Sequence, residues 1–562
     1  MTALAARPAH SRPAGQAQQT LALIHHRLML VMLLFLGATA IVAGRLAWLH
    51  LDADIDGGRA ASLVLPARAD IVDRNGVTLA RTFDAWSIGV RPREIIGDRA
   101  LLARRLAELI PGRGADWYRR RLSPDANFRY LSRRALPETV AAVNALGEPG
   151  IVFAREPERL YPQTELAAHV LGWTDFDGRG VAGIERAMEQ RLTAPESRGE
   201  PLMLSIDGRV QAAMESALSD AVAKHRAKGG TGIVLDVDSG ELLALASFPN
   251  FNPNAAGRSR ADAQYNRATM GVYELGSTFK PLTVAAAIEA GVAGSLSRRY
   301  DATAPLAIGR FRISDDHPQK RWLNVPETLV HSSNIVTARI ADAMGAKRMQ
   351  AAFRGLGFDA PPAIELPEKS GTLWPDYWSR ATVMTSGYGH GIAVTPLHLA
   401  SGYAALVNGG ILRPPTVLKL SPGDIPEGRR VYSERTSRTM RQLLRLIVLE
   451  GTGRRGDAPG FRVGGKTGTA EKTSGGGYSR RTNVSTFAAA FPMDDPRYVV
   501  VAMLDAPKGT ADTHGLTTAA WTAAPVVRKV IERSGPLLGV IPEESRDIDV
   551  AGLRSLLWKP RG

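Results

Sequence analysis

Read for the spacing of apolar positions, the chain falls into stretches of different texture. From Leu28 to Gly44, "LMLVMLLFLGATAIVAG" runs 17 residues without a charge. A run with no polar face predicts a helix for an apolar medium. It would be roughly 25 Å long against a bilayer core of ~30 Å. Arg45 can snorkel, and "LAWLHL" continues the apolar character, with Trp48 suited to a membrane interface. Arg7, Arg12 and Arg27 precede the run and no acidic residue comes before Asp52, so the positive-inside rule predicts a cytoplasmic tail over 1–27, a span over 28–44 and everything later outside. The rival is a cleaved signal peptide, because Ala38-Thr39-Ala40 resembles a cleavage site; the apolar run continues past it and favours an anchor.

Residues 60–195 alternate briefly and mix polar with apolar. "PARADIVDRNGVTLARTFDAWSIGV" predicts a strand, a turn at Asn75-Gly76 and a returning strand. "TELAAHVLGWTDFDGRGVAGIERAMEQRL" predicts a helix, a glycine-rich turn and a second helix. Near residue 200 the pattern changes. "GGTGIVLDVDSGELLALASFP" predicts two buried strands about a turn at Asp238-Ser239-Gly240, and the apolar material over 200–540 is enough for one large core of helices and strands. Residues 541–562 predict a peripheral tail.

Within that core, "YELGSTFKPLTVAAAIEAG" is apolar and too rich in alanine for a strand, so it predicts a helix starting near Ser277 and stopped by Gly291. Pro281 is tolerated in a first turn, where its missing N–H has no partner in any case. Positions i and i+3 share a helix face, which lets Ser277 and Lys280 meet as nucleophile and base. Alone, the same four residues read more readily as a capping serine and a surface lysine, since S-x-x-K occurs often by chance.

Composition narrows the field. Cysteine is absent, which excludes disulfides, thiolate metal sites and a cysteine nucleophile. The net charge of +15 comes from arginines dispersed along the chain with no basic block, so an anionic membrane or wall surface fits it as well as nucleic acid does.

Two more clusters follow Ser277 and Lys280. Ser332-Ser333-Asn334 stands directly before another apolar helix, and Lys466-Thr467-Gly468-Thr469 follows a short apolar run, as at a strand edge. "GFRVGGKT" also satisfies the phosphate-loop pattern, but "GTAEKTSGGGYS" after it is a poor helix, which rules that reading out. The order S-x-x-K, S-x-N, K-T-G is far more specific than any one cluster. With "DRNGVTLA", "RLYPQTELAAHVLG", "GIERAMEQRL", "LSIDGRVQ", "TSGYGHGIAVTPLHLASGYAALVNGG" and "DAPKG", it resembles the class B penicillin-binding proteins, the peptidoglycan D,D-transpeptidases. The "TSGYGHGIAVTP" segment is more similar to the division (septal) type than to the elongation type. Leu275, His398 and Thr164 depart from the family's usual proline, glutamine and glycine.

The resemblance implies a membrane-anchored multidomain chain. An α+β pedestal (60–195, of the dimerisation type) precedes a penicillin-binding/β-lactamase-like transpeptidase domain, a five-stranded antiparallel sheet flanked by helices. Ser277 would attack the penultimate carbonyl of a D-Ala-D-Ala stem peptide, with Lys280 as its base and Ser332 passing a proton to the leaving nitrogen. Asn334 would hold the substrate amide, and the Lys466-Thr467-Gly468-Thr469 stretch, through Lys466, Thr467 and Thr469, the terminal carboxylate. The N–H groups of Ser277 and Thr469 would form the oxyanion hole. No cofactor or metal is called for. Implied partners are stem peptides and products of lipid-linked precursors, β-lactams as inhibitors, a polytopic SEDS-family glycosyltransferase and other divisome membrane proteins, and no nucleic acid. The implied place is the bacterial inner membrane, single-pass, with the catalytic domain periplasmic or extracellular. An elongation-specific transpeptidase, a β-lactamase-type hydrolase and a non-catalytic scaffold are the alternatives. A class A β-lactamase would need an E-x-x-L-N stretch, which is missing between Ser332 and Lys466. His390, in "YGHG", and Asp315-Asp316-His317 are read as loop and turn residues.

Overall fold

The computed structural model describes residues 29–43, 68–309, 311–474 and 477–558. Residues 29–43 form a helix of 15 residues with exposed side chains. Among the described residues no helix is long and apolar enough to cross a membrane. Leu28, Gly44 and the predicted cytoplasmic tail lie outside the described residues.

The chain from Pro66 onward forms one compact unit. Its first part is built on the long strand Thr78–Val90, which pairs antiparallel with Ile71–Val72, Arg129–Ala135 and Ile151–Leu160. The turn at Asn75-Gly76 occurs as predicted. Asp73 accepts from the N–H groups of Asn75 and Val77, and Gly76 takes φ +84°, which a side chain would disfavour. The segment 91–150 closes a small core of its own around Leu106, Tyr118 and Leu131.

The stretch after Thr164 differs from the predicted helix–turn–helix. It gives three short helices, Ala168–Leu171, Gly183–Ala187 and Glu189–Thr193, and its glycine-rich turn is a small hairpin of Trp173–Thr174 with Gly180–Ala182. Gly172 and Gly183 back onto each other so closely that a Cβ on either would overlap the other's backbone, so packing interrupts the helical periodicity. Thr164 sits at φ +55°, the left-handed conformation for which the family's usual glycine is suited.

The second part contains the predicted five-stranded antiparallel sheet. Its order is Gly464–Ser474, Gly477–Phe491, Tyr498–Asp505, Gly229–Asp236, Leu242–Phe248. Period-two alternation splits its side chains between two cores. Val234, Ala244, Phe487 and Val500 face the helices Gly208–Lys224 and Ala523–Ser534. Ile233, Leu245, Ala488 and Val501 face Lys280–Glu289, Pro396–Val407 and Glu434–Glu450. His398 performs the capping task of a glutamine. Its Nδ1 accepts from the Thr395 N–H at 3.3 Å while Nε2 bonds the Ala360 carbonyl at 3.0 Å. Burial lowers its pKa to about 4, which keeps that nitrogen an acceptor.

Side chains of the second part hold backbone groups of the first. Glu368, Asn254 and Glu215 accept from the N–H groups of Gly183, Tyr161 and Ala167. Nor are the last residues a peripheral tail. Asp547 pairs with Arg445, Val550 and Leu553 are buried, and the Trp558 N–H donates to Glu327 at 2.8 Å. Alternating apolar and charged positions over so short a segment carry no periodic signal, so only its docking surface defines it.

Candidate active site

Ser277 lies in the 3-10 turn Gly276–Phe279, which runs directly into the α-helix Lys280–Glu289. The predicted helix therefore begins as a tighter turn. Gly276, at φ +54°, makes the sharp entry, and a Cβ there would stand 3.0 Å from the Thr469 carbonyl. Gly389 of the "YGHG" loop supports the turn from the other side, accepting from the Gly276 N–H. The Ser277 side chain is half-buried at the cleft, and the residue after it is fixed by Tyr403, whose hydroxyl donates to the Thr278 carbonyl.

Lys280 is fully buried. Its Nζ donates to Ser332 Oγ at 3.0 Å and to the Ser332 carbonyl. Burial lowers its pKa to about 7, against the opposing pull of Asp315 and Asp316. Ser332 itself has φ +58°, a left-handed conformation that costs a non-glycine residue about 1–3 kcal/mol. That bend leads from the helix Val325–Val330 into the helix Asn334–Gly355 and sets the hydroxyl against Lys280. The helix cap is Ser333, not Ser332, and it donates to Asp315 at 2.8 Å. Asn334 opens the helix with its Nδ2 on the Ser314 carbonyl.

Lys466, Thr467, Gly468 and Thr469 lie on the strand Gly464–Ser474 at the sheet edge, as the sequence predicts. Lys466 is fully buried; its Nζ donates to the Thr467 carbonyl at 2.9 Å and lies 3.4 Å from Thr452 Oγ1. Burial and the nearby charge of Lys280 both hold its pKa well below the ordinary lysine value. Thr467 and Thr452 share a hydroxyl bond of 2.7 Å, and Thr469 Oγ1 accepts from the Ala519 N–H. A Cβ at Gly468 would stand 2.4 Å from the Leu275 carbonyl, so only glycine lets the serine turn press this close to the strand. The fold thus brings all three clusters to one cleft.

Three contributors escaped the sequence reading. Asp315, assigned to a turn, accepts from both Ser333 Oγ and the Ile335 N–H, and so fixes Ser332 and Asn334 from outside their motif. Gly389 and Thr452 touch the serine turn and the K-T-G strand. A Gly-x-Gly pattern hinted at the first; no local signal marked the others. His390 lies 3.3 Å from Glu274 in the loop.

A serine on a helix-entry turn, backed by a desolvated lysine, defines an enzyme of serine acyl transfer. Comparison with known proteins gives the family. The penicillin binding protein transpeptidase domain matches residues 230–532 and the penicillin-binding protein dimerisation domain residues 63–200. The chain is 42% identical over 497 residues to the probable peptidoglycan D,D-transpeptidase FtsI of Caulobacter vibrioides, covering 86% of this chain and 83% of that protein. It is 31% identical to the peptidoglycan D,D-transpeptidase FtsI of Escherichia coli K12, covering 84% and 86%. The crystal structure of penicillin-binding protein 3 of Mycobacterium tuberculosis with aztreonam superposes with a TM-score of 0.67 at 25% identity, covering 85% of this chain and 97% of that one. The chain belongs to the penicillin-binding protein transpeptidase family, in its two-domain form with a dimerisation domain ahead of the catalytic one.

Proposed function

We propose that this protein is a peptidoglycan D,D-transpeptidase that cross-links stem peptides during septal wall synthesis. The observation that carries the reading is Lys280, wholly buried, bonded to Ser332 Oγ and one helical turn from Ser277. A lysine with a pKa near 7 is a competent base at neutral pH. It takes the Ser277 proton as Oγ attacks the penultimate carbonyl. Oxygen charge collects at the N–H groups of Ser277 and Thr469, where each donor is typically worth about 3 kcal/mol. The Lys280–Ser332 bond is the route by which the proton returns to the departing D-alanine nitrogen. A second stem's amine then takes the acyl group. Asn334 orients the donor amide, and the hydroxyls of Thr467 and Thr469, with Lys466, hold the terminal carboxylate. An arriving carboxylate favours the protonated form of Lys466, opposing its desolvation.

The apolar run 28–44, with arginines on its N-terminal side, supports a single-pass anchor in the inner membrane and a catalytic domain outside it. A polytopic SEDS-family glycosyltransferase is the matching partner, since a cross-linker needs fresh glycan strands. The division-type "TSGYGHGIAVTP" segment and the FtsI relatives favour the septum.

Two experiments test the reading. Purified protein should be labelled by fluorescent penicillin at Ser277, and no labelling would refute acyl transfer. Depletion in the native host should give filaments; cells that round up but still divide would point to elongation.

A further inference from the structure

A second cleft lies on the first part of the chain, outside the catalytic machinery. It has a volume of about 1020 Å³ and is walled by the loop Pro111–Arg113, the helix Ala115–Arg121, the strand Arg129–Ala135, the hairpin tip at Phe176, and Arg258 from the second part. Pockets for single small molecules span roughly 300–1,000 Å³, so this cleft stands at the upper end of that range.

The lining is cationic. Arg113, Arg121, Arg133 and Arg258 face it, against the single carboxylate of Asp177. Arg133 is paired with Glu156 and Glu158. Among the described residues, Arg113, Arg121 and Arg258 make no ion pair. Three cations gathered with one carboxylate in the cleft repel one another, a cost that an anionic ligand would relieve. Two of these guanidinium groups stack on one ring: Arg121 lies 4.7 Å and Arg113 5.4 Å from the Trp117 centroid. Arg133 stacks similarly on Tyr130 and on Phe176, which is 85% exposed. Stacking fixes the guanidinium plane and leaves its edge N–H groups free, the geometry that grips carboxylates in pairs.

We propose that this cleft is a second binding site for a polyanionic glycopeptide: an un-cross-linked strand of wall polymer, held by the carboxylates of its stem peptides on Arg113, Arg121 and Arg258. Anion preference follows from the cleft alone, whereas the identity of the polymer rests on the proposed function. Strand capture here would retain the polymer on the enzyme between successive acyl transfers, while Ser277 exchanges individual peptides.

The test uses the full chain in detergent with Ser277 already acylated by penicillin, so that the catalytic cleft is closed. Un-cross-linked glycan strands bearing intact stem peptides are the probe. They should bind at least about tenfold more tightly to the native chain than to a triple Arg113→Ala, Arg121→Ala, Arg258→Ala variant. The advantage should shrink as salt screens the ion pairs. Strands stripped of peptides by an amidase should lose the same factor. The penicillin acylation rate of the triple variant should stay at the native value, and its Tm should fall by no more than the few degrees that loss of the two Trp117 stacks entails. Equal binding to native and variant chains, or equal binding of stripped and intact strands, would overturn the proposal. So would a cleft that takes a poly-glutamate peptide but no strand, since that marks an acidic protein partner. A chain that binds strands at this cleft but is never labelled by penicillin would keep this site and sink the catalytic reading instead.

Discussion

The pH dependence of acylation tests the buried lysine directly. An ordinary lysine amine has a pKa near 10.5, and burial brings Lys280 to about 7. That lowering corresponds to roughly 5 kcal/mol of discrimination against the ammonium form. At pH 7 about half of the Lys280 side chains are then neutral, against roughly one in 3,000 for an unperturbed lysine. Only the neutral amine accepts a proton, so activity appears as pH rises through the folded-state pKa. The assay is the second-order rate constant for acylation by a penicillin whose own ionisation is constant from pH 5.5 to 9. The rate should rise about tenfold per unit at the acid end and level off above a midpoint near 7. Asp315 and Asp316 oppose the shift, so Asp315→Asn should move the midpoint to lower pH. Folding stability follows the same sign. Between about pH 7 and 10.5 the unfolded chain binds a proton at Lys280 that the folded chain does not, so this group's contribution to stability climbs with pH there. A midpoint near 10, or a rate indifferent to pH, would refute the assignment of Lys280 as base.

The other expectations concern single contacts. Ser277→Ala should abolish the penicillin adduct in intact-mass spectra, while the native adduct should persist for minutes or longer. Rapid return to the unmodified mass would mark an efficient hydrolase. Gly468→Ala forces a Cβ against the Leu275 carbonyl, and such overpacking typically costs about 1–3 kcal/mol, to be read as a lower Tm together with slower labelling. Native labelling by that variant would show that the serine turn does not need to press on the strand. Deleting residues 545–562 removes the Asp547–Arg445 pair and the Trp558 contact to Glu327, whose helix leads into Ser332. Acylation should slow even at temperatures where circular dichroism shows an intact fold; an unchanged rate would reduce the C-terminal segment to a passive surface cover.

Much of the architecture was legible because local physics wrote it. Glycine at the Asn75-Gly76 turn, and the two short apolar runs on either side of Asp238-Ser239-Gly240, are signals confined to a few residues. The three motifs named the side chains that the fold brings to one cleft, since each is a short segment with its own local signal: two stand at helix starts and one near the beginning of an edge strand. In the stretch 164–193 the close approach of Gly172 and Gly183 overrides helical spacing. The apolar positions of the last residues, Val550 and Leu553 among them, gain meaning only from the surface they meet.

The sequence by itself determined which groups were available for chemistry: a serine and lysine three positions apart, a helix to carry them, an edge strand with a glycine. Tertiary structure alone decided what those groups became. Lys280 meets Ser332 across 52 positions, and Asp315 reaches back from a separate segment to fix the helix that follows. The lowered pKa of Lys280 belongs to no motif. It comes from the removal of water by residues distant in the chain, and desolvation is a property of the packed surroundings that no spacing of residues encodes.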